Sequence, residues 1–333
     1  MDRNLALELV RVTETAAIVS SQFMGRGDKN GADGAAVEAM RRAFESVDIN
    51  GEVVIGEGEL DEAPMLYIGE KVGKQKPDSM EVDIAVDPLD GTTLIAKGMQ
   101  NVISVIAIGE KGSLLKAPDT YMQKIVVGPK AKGSIDLTKS PEENIRAVAL
   151  ALGKKTNQMT ISVQDRERHN DIIEAARKLG ARIQMFGDGD VATAISTCFE
   201  DTGIDMMMGI GGGPEGVITA VAIKSMGGDM QAKIYPLSEQ ETNRCYEMGF
   251  NDEDIAKILT IEDLAKGENL YFAATAITEG DLLKGVKNIS GNKIKTQSVV
   301  MRCKTGTIRF VDGIHNLNKS EILIELMAKY EVN

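Results

Sequence analysis

Apolar residues recur near the start of this chain at steps of three and four: Leu5, Leu9, Val12, Ala16, Val19 and Phe23. That spacing is one face of a helix packed on a core. The pattern stops at Gly25-Arg26-Gly27-Asp28, and a second helix is expected after Asp33-Gly34, through Val37, Met40 and Phe44. β-Branched and apolar runs predict strands at 52–55, 82–86 and 101–108, and residues 120–137 hold a strand followed by a Gly-Pro-Lys-Ala-Lys-Gly loop. From about Pro141 helices alternate with strands at 160–163, 182–186 and 204–208, which predicts a second, parallel or mixed sheet. Late strands are expected near 270–275, 298–303 and 307–311, with a hairpin turn at Lys304-Thr305-Gly306 and a last helix capped by Ser320. The class is α/β (α+β) in two domains, 1–140 and 141–333. Whether the late strands return to the first sheet is left open by the sequence.

The strand at 82–86 runs directly into Asp87-Pro88-Leu89-Asp90-Gly91-Thr92-Thr93. Pro88 cannot donate to a strand ladder, so it is expected to end the strand and turn the chain. Gly91 permits a sharp bend, after which the amides of residues 91–93 can face outward and cradle a phosphate. Mg²⁺-like cations take oxygen ligands and share them with waters and substrate phosphate. Asp87 and Asp90 supply such ligands, whereas an acidic turn with no further role is the plainer alternative.

Upstream, Gly56-Glu57-Gly58-Glu59-Leu60-Asp61-Glu62 follows the strand at 52–55, and Asp33 stands at an expected helix start. Local sequence leaves Asp33 equally suited to ligation or to an N-cap. Three glycine-rich acidic loops, each at the end of an apolar element, suit a metal-dependent phosphatase better than three unrelated turns.

Charge and cysteine usage narrow the class. Lys and Arg number 38 against 50 Asp and Glu, a net charge of -12, which argues against a nucleic-acid partner. Cys198, Cys245 and Cys303 are widely spaced and suggest neither a disulfide framework nor a zinc site. No apolar run reaches transmembrane length, and the start of the chain reads as an amphipathic helix, so a cytoplasmic protein with no membrane partner is expected.

The motif at 87–93, with Glu57 upstream, resembles the metal signature of the lithium-sensitive, inositol monophosphatase-like phosphatase superfamily. Within it the chain is most similar to class II fructose-1,6-bisphosphatases over nearly its whole length. The likeness runs through Gly25-Arg26-Gly27-Asp28-Lys29, Asp33-Gly34-Ala35-Ala36-Val37, Val54-Ile55-Gly56-Glu57-Gly58-Glu59 and Asp61-Glu62-Ala63-Pro64-Met65-Leu66-Tyr67. It continues in Ala117-Pro118-Asp119-Thr120-Tyr121-Met122, Asp188-Gly189-Asp190-Val191-Ala192 and Gly211-Gly212-Gly213-Pro214-Glu215-Gly216-Val217. Asp90 is a departure, since some class II members carry Glu there.

The resemblance implies a layered α/β/α/β/α sandwich. It implies hydrolysis of the 1-phosphate of fructose 1,6-bisphosphate, with two or more Mn²⁺ or Mg²⁺ ions held by Asp33, Glu57, Asp87, Asp90 and Glu215. Thr92, Asp61 and Lys29 are the implied catalytic residues. Asp90, Gly91, Thr92, Tyr121, Arg166, Glu167, Arg168, Asp188, Gly189, Asp190 and Gly212 are the implied substrate contacts. A sugar bisphosphate is the expected partner, and a homo-oligomer, dimer or tetramer, the expected assembly. His169 and His315 are read as structural or exposed, not catalytic.

Rival readings remain. Gly211-Gly212-Gly213-Pro214-Glu215-Gly216 satisfies G-x-G-x-x-G, with Asp229 downstream as a ribose-binding acid, which suggests a nicotinamide dehydrogenase. Against it, Glu215 would repel a pyrophosphate. A sugar-phosphate sensor without catalysis has no use for the acid set. Sedoheptulose 1,7-bisphosphate and inositol phosphates are nearer alternatives, because loop shape discriminates such substrates by only ~1–3 kcal/mol.

Overall fold

The computed structural model describes residues 4–58 and 65–331. The chain divides into two compact units, Met1–Leu114 with Glu268–Asn333, and Leu115–Gly267. The division expected near residue 140 falls after Leu114 because Tyr121–Val127 is a strand of the second sheet, antiparallel to both Met206–Gly212 and Asp229–Ile234. The late strands return to the first unit, which the sequence alone did not decide. The mixed α/β class is as expected.

In the first unit the apolar stripe Leu5, Leu9, Val12, Ala16, Val19 and Phe23 is buried. It forms the helix Leu5–Ser20 and a 3-10 turn, Ser21–Phe23. The next helix, Lys29–Phe44, starts earlier than the sequence suggests, because the Asp28 carboxylate accepts the Gly31 N–H at 2.8 Å and caps it. Gly31 and Gly34 each cost such a helix about 1 kcal/mol relative to alanine. Complete burial of Ala32, Ala35, Ala36 and Met40 opposes that cost.

The sheet beneath runs Lys287–Ile289, Lys293–Arg302, Leu270–Ala276, Ile103–Glu110, Glu81–Asp90, Asn50–Ile55, Lys71–Val72, with Thr307–Asn316 paired along Lys293–Arg302. Leu9, Ile18, Phe44, Ile84, Ile106 and Tyr271 share one apolar cluster between helices and sheet.

Glu81–Asp90 lies inside this sheet, parallel to Asn50–Ile55 and antiparallel to Ile103–Glu110. It continues through Pro88, contrary to the expected stop. The pairing slips between Asp87 (opposite Val105) and Asp90 (opposite Ile103), so the strand carries one extra residue there. In such a bulge the missing Pro88 N–H is not demanded by the ladder. Asp87 secures it by accepting the Leu89 N–H at 3.0 Å.

The second unit holds a mixed sheet in the order Leu259–Thr260, Asp229–Ile234, Tyr121–Val127, Met206–Gly212, Thr160–Gln164, Arg182–Phe186. Thr160–Gln164 runs parallel to both of its neighbours. Helix Pro141–Ala151 opens on a capping box at Ser140 and packs Ile145 and Val148 into a core with Ile125, Ile161, Ile173 and Met206. No helix among the described residues is long and apolar enough to cross a membrane.

Candidate active site

In the first unit, two neighbouring parallel strands deliver acids at their carboxyl ends, where open α/β sheets place ligands. Ile55 pairs with Ala85, and Glu57 and Asp87 each stand two residues beyond that pair. Glu57 and Asp87 are half-buried, and Asp90, past the bulge, is buried. Asp83, the first acid of the same strand, is buried and accepts the Leu114 N–H at 3.2 Å, so its role is structural.

Gly91 takes φ +108, a conformation that strains any other residue, and turns the chain into the short helix Thr92–Ala96. Thr92 is half-buried at the start of that helix. The backbone of the 25–27 loop clamps the helix's far end, Gly25 N–H to the Ile95 carbonyl at 2.8 Å and Gly27 N–H to the Ala96 carbonyl at 2.9 Å. Asp33 is not the cap, since Asp28 takes that part; Asp33 is half-buried, and burial raises its carboxyl above the usual range. Lys29 is exposed at the first position of the helix. Asp61 lies outside the described residues, as do Glu59 and Glu62.

The second unit brings most of its implied substrate residues to one end of its sheet. Tyr121 pairs with Gly212 across two strands. Arg168 stacks over the Tyr121 ring, 5.1 Å from guanidinium carbon to centroid. Its Nε and Nη2 donate to the Ile210 carbonyl at 3.2 and 2.9 Å, and Nη2 also donates to Gln164 Oε1 at 2.8 Å. Arg166 and Glu167 are exposed, Arg166 donating to its neighbour's carbonyl, the Asp165 oxygen, at 2.8 Å. His169 is structural as expected: it is buried, Nδ1 meets the Gln164 carbonyl and Nε2 accepts the Ile210 N–H, both at 2.8 Å. Burial lowers its pKa and keeps the ring neutral.

Asp188 is half-buried, and Gly189, at φ +74, leads into the helix Asp190–Ser196. The Asp190 carboxylate is ion-paired with the fully buried Lys124, whose ammonium also donates to the Gly212 carbonyl at 2.8 Å. Lys124 went unread in the sequence. The signal was there: it shares a strand face with Met122 and Val126, both fully buried, so a charge sits on an apolar face.

Glu215 lies in the first turn of the helix Gly213–Ser225, its carboxylate folded back over Gly212. A Cβ on Gly212 would stand 1.8 Å from Glu215 Oε2. Burial, and then the Asp190 charge, raise the Glu215 carboxyl above its ordinary value, with Lys124 opposing. Strand, glycines and helix do supply the setting of a dinucleotide motif, but this carboxylate fills the space over Gly212 that a pyrophosphate would need.

Among the described residues, no three His, Cys, Asp or Glu side chains close into a cation-sized cage. The chemistry of the donors nevertheless fits a hard divalent ion. All are carboxylates, and Glu215 Oε2 is sealed from solvent with no hydrogen-bond partner among the described residues.

Gly212→Ala isolates the Glu215 carboxylate. Gly212 has φ −60 and ψ 140, which alanine adopts freely, and the nearest group that must move is the Glu215 carboxylate. Activity should fall by about tenfold or more, and urea denaturation should show a stability loss of about 1–3 kcal/mol, the usual cost of overpacking. Wild-type kcat/KM in this variant would remove Glu215's placement from the chemistry.

The bacterial fructose-1,6-bisphosphatase family, glpX-encoded, has a family model that matches residues 3–315. A class 2 fructose-1,6-bisphosphatase of Escherichia coli strain K12 is 46% identical, covering 96% of this chain and 98% of that protein. The class 2 enzyme of Shigella flexneri is similar to the same extent, 46% over 96% and 98%. The chain belongs to the glpX-encoded bacterial fructose-1,6-bisphosphatase family.

Proposed function

We propose that the chain hydrolyses the 1-phosphate of D-fructose 1,6-bisphosphate, with water, to fructose 6-phosphate and inorganic phosphate, as a gluconeogenic enzyme of the cytoplasm. The observation that carries this reading is the family match over residues 3–315. The motif at 87–93 further supports placing that family in the inositol monophosphatase-like superfamily.

Asp33, Glu57, Asp87, Asp90 and Glu215 are the residues that would hold two or more Mg²⁺ or Mn²⁺ ions. When bound, such ions supply Lewis acidity and a water acidic enough to become the nucleophile. The protein's own contribution is orientation and charge. The Thr92 hydroxyl, with Asp61, orients the attacking water, and the amides at Gly91 and Thr92 hold phosphate oxygens. Lys29 balances the charge of the acids. Tyr121, Arg166, Glu167 and Arg168 form the end that receives the distal phosphate. Arg168 is already fastened to Ile210 and Gln164, so it acts as a fixed wall, and the exposed Arg166 is the mobile clamp. Asp188, Gly189, Asp190 and Gly212 line the sugar. The active form is a dimer or tetramer.

Phosphate release is the test, measured from fructose 1,6-bisphosphate, sedoheptulose 1,7-bisphosphate, inositol 1-phosphate and fructose 6-phosphate with Mn²⁺, Mg²⁺ or excess EDTA. The highest kcat/KM should be for fructose 1,6-bisphosphate, lost in EDTA. A preference for sedoheptulose 1,7-bisphosphate would move the substrate and keep the chemistry, whereas no release with either metal would refute the assignment.

A further inference from the structure

A cavity of about 380 Å³ lies in the first unit, away from the acidic strand ends. The helix Leu5–Ser20 gives it Ala6 and Leu7, and the hairpin formed by Lys293–Arg302 and Thr307–Asn316 gives it Val300, Met301, Arg302 and Arg309. In the hairpin register Val300 opposes Arg309 and Arg302 opposes Thr307. Cross-strand partners share a face, so the two arginines are diagonal neighbours on one side of the hairpin.

Two like charges on one face repel, and no carboxylate among the described residues lines the cavity to offset them. This occurs in a chain of net charge -12, where acids are plentiful. The Arg302 Nε–H is sealed from solvent without a hydrogen-bond partner among the described residues. Its guanidinium is held over the Tyr271 ring at 5.7 Å. The hydroxyls of Thr305 and Thr307, 2.8 Å apart, add further polar atoms beside the guanidinium groups. The opposite walls are apolar, with Leu7 half exposed at the rim.

We propose that this cavity binds a small amphipathic anion, its carboxylate or phosphate head between Arg302 and Arg309 and its apolar body against Leu7 and Val300. The volume suits a metabolite-sized ligand, for which sites run from ~300 Å³ upward. Guanidinium pairs favour such heads through charge-assisted, forked hydrogen bonds. The site is distinct from the phosphatase centre. Within the helix Leu5–Ser20, ~20 Å separates Leu7 from the end that leads to the 25–27 loop, which clamps the helix Thr92–Ala96.

The chain has no tryptophan, so Leu7→Trp places a single indole at the rim. Full-length L7W protein in excess EDTA, which silences the metal-dependent centre, is titrated with 1-anilinonaphthalene-8-sulfonate as an aromatic anion. Saturable, one-to-one quenching of the indole is expected, and competition by hexanoate or by hexyl phosphate identifies the preferred head. R302Q/R309Q in the same background should weaken the probe by roughly tenfold or more, and in the otherwise native chain should leave phosphatase kcat/KM unchanged. Thr307→Glu, which sets a carboxylate opposite Arg302, should weaken it similarly and serves if the double variant does not fold. Unsaturable binding, or wild-type affinity in R302Q/R309Q or T307E, would overturn the proposal.

Discussion

Asp87→Asn is expected to lower kcat/KM for fructose 1,6-bisphosphate by ~10³-fold or more, because losing a charge proposed to hold metal would forfeit several kcal/mol of transition-state stabilisation. Asparagine is the discriminating replacement. It retains the oxygen that accepts the Leu89 N–H at 3.0 Å, so the Pro88 bulge keeps its fastening. The thermal midpoint should therefore stay close to that of the wild type, and calorimetric titration with Mn²⁺ alone should show weakened binding. Asp87→Ala should lose the same activity and, in addition, about 1 kcal/mol of stability from the missing hydrogen bond. Near-normal turnover in the asparagine variant would dismiss Asp87 as a ligand.

Lys124→Met should produce the largest loss of stability, on the order of 3–5 kcal/mol by urea denaturation, the usual cost of leaving one partner of a buried ion pair uncompensated. Lys124 is 2% exposed and Asp190 8% exposed, so solvent cannot take over the missing charge. The Gly212 carbonyl loses its donor at the same time. Because Asp190 is assigned to the sugar and Glu215 lies within the same electrostatic neighbourhood, KM should also rise in whatever fraction folds. A methionine variant as stable as the wild type would dismiss the Lys124–Asp190 pair as a source of stability.

The acids at Asp87 and Asp90 were legible because their signal is local: an apolar strand, a proline, a glycine and two hydroxyls in one run. Asp33 was ambiguous for an equally local reason, since Asp28 and Asp33 both precede helical sequence, and only the folded chain shows which one caps. Lys124 escaped because its partner lies 66 residues away and no short-range pattern connects them. Proline rules predicted a strand end at Pro88, but the bulge relieves the ladder of the missing donor and tertiary pairing carries the strand to Asp90. The division near residue 140 followed the change to alternating helices and strands. The actual change of sheet comes earlier, at Tyr121–Val127, whose sequence reads like any other strand.

The first unit is assembled from two separated stretches of chain, with residues 115–267 intervening. Ile103–Glu110 meets Leu270–Ala276 only across that interval, Ile103 opposite Ala276. On the ribosome, the contiguous unit can be complete before its interrupted neighbour has all its strands. Until residue 276 emerges, Ile103–Glu110 presents an open, almost wholly apolar edge, the kind of template on which nascent chains pair wrongly. Termination between residues 110 and 270 would release a polypeptide that has Asp87 and Asp90 and lacks the strand that seals the sheet behind them.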